Sequence, residues 1–189
     1  MAPDASLAKQ KSGNEHFAAN DTSSAQPTRA RRVETAKGPH PFAIIVGCSD
    51  SRTPPEMIFD QNIGDLFVVR TAGEQVDDYA LGSIEYAVEH LGARLIVVLG
   101  HSRCGAVAAA VANETAPGNV GEIVRSIRPA FEAVREQGGD VLVNSIKKNI
   151  DLVATKIRKK SELGEFKAST QVVETYYDLD TGKVEFLKR

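Results

Sequence analysis

The sequence predicts an α/β fold: a single domain with a mostly parallel central β-sheet, helices on both faces and an antiparallel C-terminal edge strand. Three observations predict it. FAIIVG (42–47), DLFVVR (65–70) and LIVVLG (95–100) are short, continuous apolar runs rich in branched residues, the pattern of strands buried on both faces of a parallel sheet. Between the second and third runs, Leu81, Ile84, Val88 and Leu91 recur at helical spacing and Gly92 follows as a stop, so strand, helix and strand form a βαβ unit. The C-terminal QVVETYYDLDTGKVEFL (171–187) reads as a strand, a turn at Asp180-Thr181-Gly182 and a returning strand.

The elements follow in order. LAKQKSGNEHF (7–17) reads as a short leading helix, and residues 20 to 41, rich in Ser, Thr, Arg and Pro, read as loop. AVAAAVAN (106–113) is a compact helix of small residues; 120–137 reads as a helix interrupted near Pro129. Val143, Ile146, Ile150, Val153 and Ile157 mark a long amphipathic helix. Its basic run Lys156, Arg158, Lys159 and Lys160 reads as a solvated face near the negative end of the helix dipole. The organisation expected is an N-terminal helical arm and loop over 1–40 and an α/β domain over 41–189, with no repeats.

Composition excludes several function classes. The 189 residues suit one domain, and 42% hydrophobic with 25% charged residues is ordinary for a globular chain. A net charge of −2 without basic blocks argues against nucleic acid; Arg29, Arg31 and Arg32 read as a solvated loop. No apolar run approaches the ~20 residues that span a bilayer, so no membrane partner is expected. MAPDASLAKQ lacks the apolar core of a signal peptide, which leads to an expectation of a cytoplasmic protein, with a removed leader left open.

The chemistry lies in two loops at strand ends. FAIIVG runs into Cys48-Ser49-Asp50-Ser51-Arg52, and LIVVLG into His101-Ser102-Arg103-Cys104-Gly105. Ligands of open α/β sheets bind beyond the carboxyl ends of strands at a switch point, so neighbouring strands would bring both loops together. Cys48 and Cys104, the two cysteines of the chain, are too few for a disulfide framework. Two thiolates and an imidazole suit zinc better than magnesium or calcium, and three protein ligands leave the fourth position open, as in catalytic sites. Asp50 is close enough in sequence to Cys48 to lie beside the metal, and Arg52 can hold its carboxylate by charge-assisted hydrogen bonds and keep it ionised. Asp50 then orients a nucleophile at the open position, or ligates zinc itself and closes the site. His16, His40 and His90 read as surface or helix-face residues. Gly100 and Gly105 have P-loop spacing, but Ala106 and Val107 stand where Lys and Ser/Thr must follow. No dinucleotide fingerprint follows any strand, and Cys48 to Arg52 is too short for a cysteine phosphatase loop.

With CSDSR at 48–52 and GHSRCGAV at 100–107, the sequence resembles the β-class carbonic anhydrases. The similarity continues through FDQNIGDLFVVRTAGE, LGSIEYAVEHLGARLIVVLG and YYDLDTGKVEFL, and the leading helix is similar too. The resemblance implies a zinc lyase (carbonate dehydratase) that reversibly hydrates carbon dioxide to bicarbonate and a proton by zinc-bound hydroxide. It implies Cys48, His101 and Cys104 as zinc ligands, Asp50 with Arg52 as the catalytic pair, and Asp50 as fourth ligand in closed forms. It further implies a homodimer or homotetramer with the leading helix packed on the neighbouring subunit.

The sequence departs from the family at four points. Pro39 stands nine residues ahead of Cys48, where many members carry Gln, and Glu74 replaces Asn in Arg70-Thr71-Ala72-Gly73-Glu74. Thr53 stands where Val is common, and the absence of Trp removes the Trp-containing bicarbonate regulatory site of some bacterial members. Two alternatives remain: a carbonyl sulfide or carbon disulfide hydrolase on the same scaffold, kept open by Pro39 in place of Gln, and a non-catalytic zinc-stabilised interaction or sensing protein.

Overall fold

The computed structural model describes residues 1–22, 28–112 and 115–188. Of the expected loop over 20–41, residues 23–27 lie outside the described residues, as does Asn113 at the end of the small-residue helix; the side chain of Lys160 in the basic run does too. The elements are α1 (Pro3–Ala18), α2 (Arg29–Thr35), β1 (Ala43–Cys48), α3 (Pro55–Ile58), β2 (Leu66–Thr71), α4 (Asp78–Glu89) and β3 (Leu95–His101). They continue with α5 (Gly105–Val111), α6 (Gly118–Glu132), α7 (Val141–Lys160), β4 (Gln171–Tyr177) and β5 (Val184–Lys188). Short 3-10 turns lie at Ala72–Glu74 and Gly164–Ser169.

The sheet has strand order β2-β1-β3-β4-β5, parallel throughout except for the antiparallel β4–β5 pair. It thus has the predicted mostly parallel form with an antiparallel C-terminal edge. Alternate residues of each strand feed two cores. Ile44, Val46, Cys48, Ile96, Val98, Val172 and Tyr176 face one side, under α4 to α7; Ala43, Ile45, Leu95, Val97, Leu99, Val173 and Tyr177 face the other, under α1 and α3. Ile44, Ile45 and Ile96 are fully buried, each worth about 1.5–3 kcal/mol in apolar area removed from water. Asp77 and Asp140 cap α4 and α7, accepting from the backbone N–H of Ala80 and of Leu142 and Val143.

Several expectations change. The leading helix runs longer than 7–17 and packs on the chain's own sheet. Leu7 is buried in the second core, and Ser6 Oγ donates to Phe42 O at 3.0 Å. Asn14 Nδ2 donates to Ile58 O and Gly182 O, and Asn14 Oδ1 accepts from Val184 N. The approach is close enough that a Cβ on Gly13 would lie 1.8 Å from Phe59 O. Within the expected loop sits α2, capped by Thr28 and held by Arg31, which donates to Ile63 O at 2.8 Å and to Asp65 Oδ1 at 2.8 Å. That docking is tertiary and left no periodic trace.

Pro129 does not interrupt α6, because it lies on the exposed face of the last turn, where water can satisfy the carbonyl its missing N–H leaves free. Arg158 is not a solvated charge: it donates to Glu174 Oε1 at 2.8 Å, and Glu174 is a buried carboxylate facing α7 from β4. DLFVVR forms an edge strand, with all six residues of β2 partly exposed, not buried on both faces.

Candidate metal centre

Because β1 lies between β2 and β3, the chain leaves it toward one side and returns on the other. The loops after β1 and β3 therefore meet at the switch point. This brings together the two motif loops. Cys48 Sγ and Cys104 Sγ are 4.0 Å apart, and the ligand atoms of Cys48, His101 and Cys104 all lie within 4.8 Å of one another, buried. Two sulfurs bound at 2.3 Å to one tetrahedral metal would stand about 3.8 Å apart, so the spacing fits. His101 Nδ1 faces Ser102 O at 3.0 Å, which fixes the proton on Nδ1 and turns the Nε2 lone pair inward. That Nε2 is buried and has no hydrogen-bond partner among the described residues, as expected of a ligand atom. Geometry and donor set both fit a soft, tetrahedral ion such as zinc.

Charge at the centre follows from its contacts. Cys48 Sγ accepts from the backbone N–H of Asp50 and of Gly73, each at 3.4 Å. The hydrogen bond with Cys104, aided by His101 and these N–H groups, pulls the Cys48 thiol down. The same sulfur–sulfur bond, with burial, pushes Cys104 up. Burial opposes a charged His101 ring, but the adjacent Cys48 sulfur outweighs it and the pKa rises.

Asp50 lies beside the three-ligand group, its Oδ2 4.0 Å from His101 Nε2. Arg52 grips it in a fork: Nε donates to Oδ1 at 2.9 Å, Nη2 to Oδ2 at 2.7 Å, and the Arg52 backbone N–H to Oδ1 at 2.9 Å. The fork holds the Asp50 carboxyl well below the usual carboxylate range. The Asp50 and Arg52 side chains are 18% and 50% exposed, whereas the ligand residues are buried, so access comes past this pair.

Further supports complete the site. Arg70, at the end of β2, donates to Cys48 O at 2.7 Å and to Asp50 O. Thr53 Oγ1 donates to Asp50 O at 2.9 Å. Arg103 makes a two-pronged pair with Asp180 at 2.7 and 2.8 Å, and Ser102 Oγ accepts from Leu179 N. The C-terminal turn thus braces the second loop. The sequence marked Arg70 and Thr53 through the family resemblance, but not these contacts. His16 lies 3.6 Å from Asp60, and the His90 ring lies 5.1 Å from that of Tyr86; His40 is exposed.

Glu74 is fully buried. Its Oε1 accepts from Asn149 Nδ2 at 2.8 Å, while Oε2 has no partner among the described residues. Burial raises the Glu74 carboxyl from 4.5 to about 8, against the Asn149 bond, which lowers it. Between those two values the folded protein keeps a proton that the unfolded chain has released. Stability therefore falls as pH rises through this window and levels off above it. At about 1.4 kcal/mol per factor of ten in acidity, Glu74 withholds on the order of 5 kcal/mol from the alkaline protein. Glu74→Gln, which copies the neutral acid, is expected to match the parent near pH 5 and exceed it increasingly toward pH 9 in urea unfolding. A constant gap across that range would contradict the assignment of a protonated Glu74.

The comparisons with known proteins identify the family. The family model described as carbonic anhydrase matches residues 43–184, which hold both loops and the whole sheet down to the first residue of β5. The chain belongs to the β-class carbonic anhydrase family. Carbonic anhydrase 2 of Mycobacterium tuberculosis is 41% identical over 180 residues, covering 92% of this chain and 87% of that protein. Among solved structures, the β-carbonic anhydrase CafA of Aspergillus fumigatus superposes with a TM-score of 0.76 at 28% identity, covering 97% of this chain and 89% of that one. A tetrameric β-carbonic anhydrase of Sordaria macrospora shares the fold, with a TM-score of 0.75 at 24% identity over 97% of this chain and 92% of that one. Among the described residues, no helix is long and apolar enough to cross a membrane.

Proposed function

We propose that this β-carbonic anhydrase family member is a zinc enzyme that interconverts carbon dioxide and bicarbonate. Cys48, His101 and Cys104 would hold the ion, and Asp50 with Arg52 would direct the reaction. The observation that carries the reading is the pairing of a buried three-ligand group with an ionised, Arg-clamped carboxylate on its open side. A structural metal site has no need of such a carboxylate. Zinc supplies Lewis acidity that makes water a nucleophile near neutral pH.

The chain's own residues do the rest. Arg52 fixes the Asp50 carboxylate and keeps it unprotonated. Asp50 is then an acceptor that orients the attacking water's remaining proton and turns its lone pair toward carbon dioxide. The fork with Arg52 supports Asp50 in this orienting role, in place of the fourth-ligand role. Arg70 and Thr53 keep the Asp50 loop from drifting by holding its carbonyls.

The test is stopped-flow carbon dioxide hydration on protein of known zinc content. Two thiolates cancel the charge of a zinc dication, so its Lewis acidity is weaker than with three neutral imidazoles. Asp50 is ionised throughout, so it contributes no titration of its own near neutrality. Hydration is therefore expected to run faster at pH 8.5 than at pH 7, and a flat profile from pH 6 to 9 would sink this account. Zinc-loaded protein that releases hydrogen sulfide from carbonyl sulfide but does not hydrate carbon dioxide would move the assignment to that hydrolase chemistry. Zinc-loaded protein inert to both would point to the non-catalytic role.

A homodimer or homotetramer is part of the proposal. β2 is an edge strand of mostly apolar residues that is only partly covered, and Tyr86, half exposed, lies beside it with its ring 6.5 Å from that of Phe67. Unpaired edges of this kind are normally covered. Light scattering is expected to give at least twice the 20.3 kDa chain mass; a monomer at micromolar concentration would contradict this. Two unbridged thiols suit a reducing, cytoplasmic setting, which thiol trapping in cells would check.

A further inference from the structure

We propose that Asn149 of α7 is a positioning residue for the metal centre, clamping the turn at 73–75 so that the Gly73 N–H donates to Cys48 Sγ. The inference rests on the reading of Cys48 as a metal ligand. Asn149 is a buried amide on the apolar face of α7, beside Ile146, Ile150 and Val153, where a polar group costs stability unless it is fully bonded. All its bonds go to one turn. Nδ2 donates to Gly73 O at 2.9 Å and to Glu74 Oε1 at 2.8 Å, and Oδ1 accepts from Gln75 Nε2 at 2.9 Å. Gln75 Nε2 also donates to Gly73 O, at 3.1 Å.

The turn needs such ties. Gly73 (φ 67°) and Glu74 (φ 47°) are consecutive left-handed residues, and the second is not glycine. A Cβ at Gly73 would lie 2.7 Å from Ile127 Cδ1 and 3.2 Å from Ala106 Cβ, so the peptide is also pressed in place by α5 and α6. The outcome is a Gly73 N–H aimed at Cys48 Sγ, 3.4 Å away. Hydrogen bonds to a ligating sulfur draw electron density from it and tune the metal it holds. Asn149 touches neither metal ligand nor substrate; it acts through the turn.

The test uses cobalt(II)-loaded and zinc-loaded protein. Cobalt bound by thiolate gives a charge-transfer absorption band whose energy falls as the sulfur becomes more electron-rich. Asn149→Ala is expected to move this band to longer wavelength and to weaken zinc, measured by chelator competition, by about 10–100-fold. Gln75→Ala, which removes one tie from a less buried site, is expected to give a smaller shift in the same direction. Ser145→Ala, one turn away on α7, should leave band and affinity alone, which separates positioning from a general disturbance of the helix. An Asn149→Ala protein with the parent's band and affinity would overturn the inference. If that variant does not fold, an unshifted band in Gln75→Ala would overturn it. A parent that shows no thiolate–cobalt band would defeat the metal reading itself, whereas a parent with the band and unresponsive variants would defeat this inference alone.

Discussion

Cys104→Ser is expected to remove metal and hydration activity together. Cys104 is buried, its sulfur faces Cys48 Sγ at 4.0 Å, and it belongs to the three-residue group whose atoms can surround one ion. A serine hydroxyl is shorter than a thiol and does not ionise near neutral pH, so the site loses one anionic ligand and half the charge that balances a zinc dication. Residues that merely orient ligands typically cost 10–100-fold in metal affinity, and loss of a ligand should cost more than ~100-fold. Zinc content after gel filtration and stopped-flow hydration should fall in parallel. The fold should survive, because the 101–104 loop is also tied by the Arg103–Asp180 pair and by the Ser102 bonds to Tyr177 O and Leu179 N. A folded Cys104→Ser protein that keeps stoichiometric zinc would exclude Cys104 as a ligand.

Asp50→Asn is expected to separate metal from rate. The amide keeps the shape of the carboxylate but loses its charge, and it has one acceptor oxygen where Arg52 requires two. The Arg52 fork is then half broken, and the orienting acceptor on the open side is replaced by a group that also donates. Loss of a positioned acid–base group typically lowers rates by about 10²–10⁴, so hydration should fall by that order while zinc content stays at the parent level. The pH profile of the residual activity should keep its alkaline rise, because Asp50 is ionised well below the range in which that rise occurs. Full activity would refute the orienting role. Loss of zinc with loss of activity would instead place Asp50 among the ligands.

Reach separates what was legible in the sequence from what was not. The paired loops were legible because each follows a strand written as an unbroken apolar run, and the βαβ spacing fixed both loops at the carboxyl end of one sheet. The C-terminal hairpin was legible from its turn residues. The contacts of the supporting residues were not. Arg70, Glu74 and Asn149 lie on three different elements, and only the packing of α7 against the turn after β2 turns an unremarkable helix asparagine into a three-bond clamp. α2 was missed because seven residues anchored by Arg31 to a distant loop carry no amphipathic period of their own.

Sequence alone therefore determined the fold class, the two cysteines and the histidine that meet, and the Asp50–Arg52 pairing, since these depend on local periodicity, strand ends and near neighbours in the chain. Tertiary structure decided where α1 docks on the sheet, that β2 is an edge strand, that Glu74 is buried, and that Arg158 serves a buried carboxylate. The physical reason is common to all four. Burial and pairing of these groups depend on which surface of the finished sheet each element covers, and that is set by long-range packing, not by the identity of the neighbours along the chain.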